Sequence, residues 1–139
     1  MSMLERVLEP VLQTPLHIAA GLQLVRAADG MAEIRYPVDG ICSNMHGMLH
    51  GGITCVMHDV ACFLAVASLL PAENHAVTCD TQVSILRPAS RGETITVRAK
   101  VDRLGRSLAF MRSESYAVDA EGRERLIATG TLTKAVTRA

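Results

Sequence analysis

Residues 53–70 are apolar at nearly every position, with Val56, Met57, Val60, Phe63, Leu64 and Val66 among them, and the run is bounded by Gly51-Gly52 and Pro71. Apolar positions spread all round a 3.6-residue period predict a helix that the rest of the chain must enclose. One acid, Asp59, interrupts the run, with His58 beside it. After Pro71 the period falls to two. Val77, Cys79, Thr81, Val83 and Ile85 alternate with Thr78, Asp80, Gln82 and Ser84, and Ile95, Val97, Ala99 and Val101 alternate with Thr94, Thr96, Arg98 and Lys100. Both stretches predict half-buried strands. Turn signals at Arg87-Pro88, Arg91-Gly92, Leu104-Gly105-Arg106 and Asp119 leave residues 107–118 and 123–136 as two more strands.

Ahead of the long helix, residues 4–12 predict a short helix ended by Thr14-Pro15. Residues 21–27 and 31–36 flank Asp29-Gly30, a dipeptide suited to the positive-φ turn of a hairpin. The predicted order is therefore a hairpin, one long apolar helix and a meander of four strands. The simplest enclosure for that helix is a twisted antiparallel sheet curled about it. This is an α+β chain of the hotdog class.

Length and charge narrow the field further. The 139 residues predict a single domain over 1–139, and 14 basic residues balance 14 acidic ones, so no electrostatic footprint for nucleic acid is present. No repeat or linker interrupts the chain. The start lacks a basic segment followed by an apolar core, and the long apolar run is broken by His58 and Asp59, so neither a secretory signal nor a membrane span is expected. The four cysteines form no Cys-x-x-Cys pair, which fits reduced thiols in a cytoplasmic protein.

Asp59 is the candidate for chemistry. A carboxylate in a buried helix is costly unless it is paired or functional, and the expected surroundings, Cys55, Cys62 and Phe63, predict a desolvated acid able to act as general base or nucleophile. The other reading is a polar stripe in which Asp59 and His58 face water. Gly51, at the first helical turn, offers a backbone N–H with no intrahelical partner and no side chain to hold a carbonyl away. His46 and His50, with His58 and Asp59, include donor types that bind metals, but Gly47 and Gly51-Gly52 argue against the regular helix that an i, i+4 metal pair needs.

These residues also carry a family resemblance. Asn44-x-His46-Gly47-x-x-His50-Gly51-Gly52-x6-Asp59, with Arg87-Pro88 and Gly105-Arg106-Ser107-Leu108-Ala109-Phe110 downstream, resembles the hotdog acyl-CoA thioesterases of the phenylacetate-pathway type. The resemblance spans residues 21–134. It implies that Asp59 is the base or nucleophile, that Gly51 polarises the thioester carbonyl, and that Asn44 orients water or thioester. It also implies that Thr78 assists and that His50 hydrogen-bonds near the thioester. The turn with Arg103, Gly105, Arg106 and Ser107 is implied to contact coenzyme A, with Arg87 as a second cation.

The function expected is hydrolysis of an acyl-CoA by a homodimer or homotetramer that needs no metal and no cofactor, coenzyme A being part of the substrate. Membranes and nucleic acids are not expected partners. A non-catalytic acyl-CoA or acyl-carrier binding module, and a hydratase or dehydratase, are the alternatives. Asp59 argues against the first, and the lack of a histidine paired with an acid across the cleft argues against the second. Two phenylalanines, two tyrosines and no tryptophan give little material for an aryl pocket, whereas Met45, Met48, Met57 and Met111 suit an adaptable aliphatic one.

Overall fold

The computed structural model describes residues 1–138. Its centre is α3, Gly51–Ala67, which buries Ile53, Met57, Val60, Leu64 and Val66 together with the small residues Ala61 and Ala65. Around it curls one six-stranded antiparallel sheet: β1 (Gln23–Ala28), β2 (Met31–Pro37), β3 (Asn74–Ile85), β4 (Thr94–Leu104), β5 (Leu108–Val118) and β6 (Glu124–Arg138). The spatial order is β1-β2-β4-β5-β6-β3. This is the hotdog fold.

The strand order corrects the expected meander. Of the four strands after the helix only β4, β5 and β6 run consecutively, whereas β3 pairs with β6 and β4 pairs with β2. Enclosure is the physical reason, because the helix has apolar residues on nearly all sides and the sheet must reach it from both. The connection from β3 to β4 crosses the start of α3, tied by the Leu49 N–H to Ala89 O at 2.8 Å and the Leu86 N–H to Ile127 O at 2.7 Å. β3 thereby becomes an edge strand, hydrogen-bonded on one side only, twelve residues long and without proline.

Two helices precede the sheet. α1 (Met3–Leu12) starts from a capping box of Ser2 and Glu5 and packs Leu4, Val7, Leu8 and Val11 onto the core. Arg6 fastens it to the start of β3, its Nε donating to Ala72 O at 2.7 Å and its Nη2 to Asn74 O at 2.5 Å. In the sequence Thr14-Pro15 reads only as a helix end. Pro15 instead occupies the first turn of α2 (Pro15–Ala20), where its fixed φ suits a helix start, and Gly21 at φ 76° closes that helix.

His58 belongs to no solvent-facing stripe. It is fully buried, with Nδ1 2.5 Å from Ser113 Oγ and Nε2 hydrogen-bonded to Ser115 Oγ, so one hydroxyl donates to the ring and the other accepts from it. β6 makes room with Gly130, where a Cβ would stand 2.5 Å from Ser113 Oγ and 2.8 Å from His58 Nδ1.

Burial pulls the His58 imidazole down from its ordinary 6.5 to about 4. The unfolded chain therefore takes up a proton near pH 6.5 that the folded one refuses until about pH 4, so stability present above pH 6.5 is lost across that interval. The shift corresponds to about 3 kcal/mol. Denaturant unfolding measured from pH 7 to pH 4 is expected to show this loss, and a His58→Gln protein a shallower one; equal slopes in the two proteins would remove His58 as its source.

Candidate functional site

Three side chains meet beside the middle of α3. Thr78 Oγ1 donates to Asp59 Oδ1 at 2.8 Å, and Lys134 Nζ donates to the same Oδ1 at 2.7 Å and to Thr78 Oγ1 at 2.6 Å. Strand register produces the meeting. Ala109, Lys134 and Thr78 lie opposite one another on β5, β6 and β3, and alternation turns this row inward toward the helix. Lys134 is 1 % exposed, whereas the Asp59 side chain keeps 41 % of its surface. The Lys134 ammonium also stands 5.7 Å from the centroid of the Phe63 ring.

Asp59 is thus no lone desolvated acid, as the sequence had suggested. It is an ion-paired carboxylate at the floor of an open cleft. Both donors take Oδ1, and among the described residues Oδ2 has no partner. The cleft holds about 430 Å³. Its walls are apolar, built from Val56, Val60 and Phe63 of α3, Val11 of α1 and Val77 of β3, while Asp59, Thr78 and Lys134 supply the polar end. A larger hollow of about 730 Å³ lies on the sheet face away from α3, between Lys100, Arg98, Arg112 and Thr131. There Arg98 pairs with Glu33 and Glu124, and Arg112 with Asp102, so both guanidinium groups are already held by carboxylates.

A second polar group forms at the N-terminus of α3. His50 is the N-cap, its Nδ1 accepting the Gly52 N–H at 3.0 Å. With Nδ1 occupied as acceptor, the neutral ring carries its proton on Nε2 and presents a donor outward. Gly52 is what this cap requires, since a Cβ there would come within 3.0 Å of the imidazole Cε1. The Gly51 N–H finds no acceptor among the described residues, and its Cα faces Ile85, whose Cδ1 a Cβ would meet at 3.3 Å. Asn44 spends its side-chain carbonyl on the loop, accepting from the N–H groups of His46 at 2.9 Å and Met48 at 3.1 Å. Only its Nδ2 donors remain for another molecule.

The candidate residues therefore fall into two sets. Asp59 and Thr78 stand together with Lys134; Asn44, His50 and Gly51 stand at the helix start. The eight residues from Gly51 to Asp59 put about 12 Å of helix between the sets. The turn carrying Arg103, Gly105, Arg106 and Ser107 belongs to the Asp59 end, beginning just beyond Ala109 in the Lys134 row and tied to β6 by the Val136 N–H to Ser107 O at 2.8 Å. Arg87 lies past Ile85, at the Gly51 end, with its N–H on Ile127 O at 3.2 Å. No carboxylate comes within ion-pair distance of Arg87, Arg103 or Arg106 among the described residues. His46 is exposed, His58 is sealed in the core, and no group of three His, Cys, Asp or Glu side chains gathers as a metal site among the described residues.

Lys134 escaped the sequence reading. Its signal was the alternation of β6, in which Leu132, Lys134 and Val136 share a parity, so a lysine stood on the inward face. Ser113 and Ser115 were likewise inward by the alternation of β5.

Known proteins share this fold. The sequence profile of the Thioesterase superfamily matches residues 46–123. Human Acyl-coenzyme A thioesterase 13 is 33% identical over 115 residues, covering 81% of this chain and 78% of its own. A putative esterase of Deinococcus radiodurans is 35% identical over 94 residues, covering 68% of this chain and 62% of that protein, so the match spans less than two thirds of its length. A thioesterase family protein from Silicibacter pomeroyi superposes with a TM-score of 0.90 at 31% identity, over 99% of both chains. A mutant form of the phenylacetic acid degradation protein PaaI from Thermus thermophilus superposes with a TM-score of 0.76 at 30% identity, over 88% of this chain and 98% of that one. The chain belongs to the thioesterase superfamily, the thioester hydrolases of the hotdog fold.

Proposed function

We propose that the protein is an acyl-CoA thioesterase whose reaction is driven by Asp59, and that each reaction centre is completed by a second copy of the chain. The carrying observation is the Asp59 carboxylate, held by Thr78 and Lys134 through one oxygen with the other free at the floor of an apolar cleft. As general base, Oδ2 takes a proton from water while the water oxygen bonds to the carbonyl carbon. The oxyanion so formed needs donors, and collapse then breaks the C–S bond, the thiolate recovering the proton to leave free acid and thiol. As nucleophile, Asp59 would instead form a mixed anhydride that water opens to the same products. The Gly51 N–H, Asn44 Nδ2 and His50 Nε2–H are the donors available for the oxyanion.

One chain cannot bring both sets to one carbonyl. The distance along α3 is about 12 Å, and a reacting carbon needs its attacking oxygen within about 3–3.5 Å. The free edge of β3 supports the remedy. It is long, has no proline and carries the exposed apolar residues Val77 and Ile85, and beyond the bulge between Thr78 and Asp80 its register runs unbroken to Ile85. β3 runs from Thr78 beside Asp59 to Ile85 beside Gly51. Antiparallel pairing of two such edges about a two-fold axis carries the Gly51 end of one chain toward the Asp59 end of its partner. The same operation brings Arg87 of one chain toward the turn of Arg103 and Arg106 in the other, cations suited to coenzyme A phosphates.

The assay is thiol release from a panel of acyl-CoAs of varied chain length and ring content. Turnover is expected, with a preference for aliphatic over aryl groups set by the walls of Val56, Val60 and Val77, and Asp59→Asn is expected to lower it ~10²–10⁴-fold. Near wild-type cleavage by folded Asp59→Asn protein would end the proposal, and tight acyl-CoA binding without cleavage by the wild type would favour the binding module.

The turn is tested separately. Replacing Arg103 and Arg106 with alanine is expected to raise KM for a full acyl-CoA roughly tenfold while sparing the corresponding acyl-pantetheine, which has no phosphate to lose. Equal effects on both substrates would take the turn out of the site.

A further inference from the structure

Of the charged side chains, Lys134 stands out by its burial. An ammonium 1 % exposed needs a compensating charge, and Asp59 is the one carboxylate within ion-pair distance among the described residues. Its other neighbours are a hydroxyl, Thr78 Oγ1, and an aromatic ring, Phe63. The stem rises from the middle of the inward row of β6, so the ammonium is fixed by the sheet rather than by a mobile loop. Both Lys134 and Thr78 converge on Oδ1 of Asp59. A carboxylate gripped twice through one oxygen cannot turn about its Cβ–Cγ bond without losing both bonds.

We propose that Lys134 is a positioning residue for the thioesterase reaction: it clamps Asp59 Oδ1 so that Oδ2 is the oxygen presented to water or to the thioester carbonyl. The inference rests on the reading of Asp59 as the reacting acid. It separates two things that a contact alone leaves mixed, holding the substrate and aiming the carboxylate. Lys134 borders the polar end of the cleft but is only 1 % exposed, its ammonium bonded to Asp59 and Thr78, so it acts through Asp59 rather than on substrate, and its loss belongs in kcat more than in KM.

The asymmetry of the pair makes this testable. Removing Asp59 strands a buried ammonium, so Asp59→Asn carries a stability cost beyond its kinetic one. Removing Lys134 strands a carboxylate that is 41 % exposed and can be solvated by water. Lys134→Met, which keeps the length of the stem and stays apolar against Phe63, is therefore the variant that folds.

The experiment compares wild type, Lys134→Met and Lys134→Ala in the acyl-CoA assay, each with its unfolding midpoint. Lys134→Met is expected to lose about 10–10²-fold in kcat with KM within about twofold, the size of effect that misplacing a reacting group produces. Lys134→Ala is expected to regain part of that kcat, saturably, with added ethylammonium, and none with ethanol. Unchanged kcat in Lys134→Met, a change confined to KM, or a loss in Lys134→Ala that ethylammonium does not relieve would each overturn the clamp. Should Lys134→Met not fold, the ethylammonium arm on folded Lys134→Ala decides alone. Absence of cleavage by the wild type would instead sink the thioesterase reading itself.

Discussion

Enclosure of α3 is the constraint from which the rest follows. A helix largely surrounded by sheet leaves its polar side chains little access to water, and the two beside its middle are met by partners from the strands that cover it. His58 is met by Ser113 and Ser115 of β5, and Asp59 by Thr78 of β3 and Lys134 of β6. The two residues are neighbours in sequence and point about 100° apart around the helix. One faces a sealed interior; the other faces the floor of a cleft. β6 serves both, with the bare backbone of Gly130 under the imidazole and, four residues on, the ammonium under the carboxylate. A slip of β6 by one residue would turn Thr133 and Ala135 inward, orphan Asp59 and drive a side chain into His58. The polar pairs therefore pin the register of the sheet as well as the chemistry of the site.

A second constraint comes from distance. The helix that supplies the acid also supplies, at its start, the unpaired Gly51 N–H, and no bending brings the two to one atom of substrate. In the proposed dimer the edge of the sheet solves this. β3 is the strand that carries Thr78 near Asp59 and Ile85 near Gly51, and it is also a strand with a free side. In the proposed two-fold arrangement the pairing that satisfies this edge also assembles the centre. Stability of the assembly and completeness of the site then come from the same hydrogen bonds.

Much of the fold was legible in the sequence because enclosure leaves a compositional mark. The apolar run of α3 and the alternation of β4, β5 and β6 gave the elements and the architecture. The pairing of β3 with β6 was not legible, since alternation reports that a strand is half-buried and says nothing of its neighbour. α2 was not legible because Pro15 reads as a terminator, whereas proline also starts helices. At the site, Asp59 was conspicuous as an acid among apolar residues, whereas Lys134 was hidden by the ordinary look of a lysine in a polar strand, though its parity with Leu132 and Val136 placed it inward. The environment of Asp59 was misjudged for the same reason: the partner that makes it an ion pair lies 75 residues away.

The central claim, that one reaction centre draws on two chains, is tested most directly by mixing two defective ones. Asn44→Asp keeps the loop acceptor while removing the Nδ2 donors, and a chain with Asp59→Asn and Lys134→Met leaves no stranded charge at the pair. Each alone is expected to be nearly inactive. In a mixed dimer one centre carries every lesion and the other carries none, so purified heterodimer is predicted to recover about half of the wild-type activity per dimer. A verified heterodimer as inactive as its parents would show instead that all the catalytic groups come from a single chain.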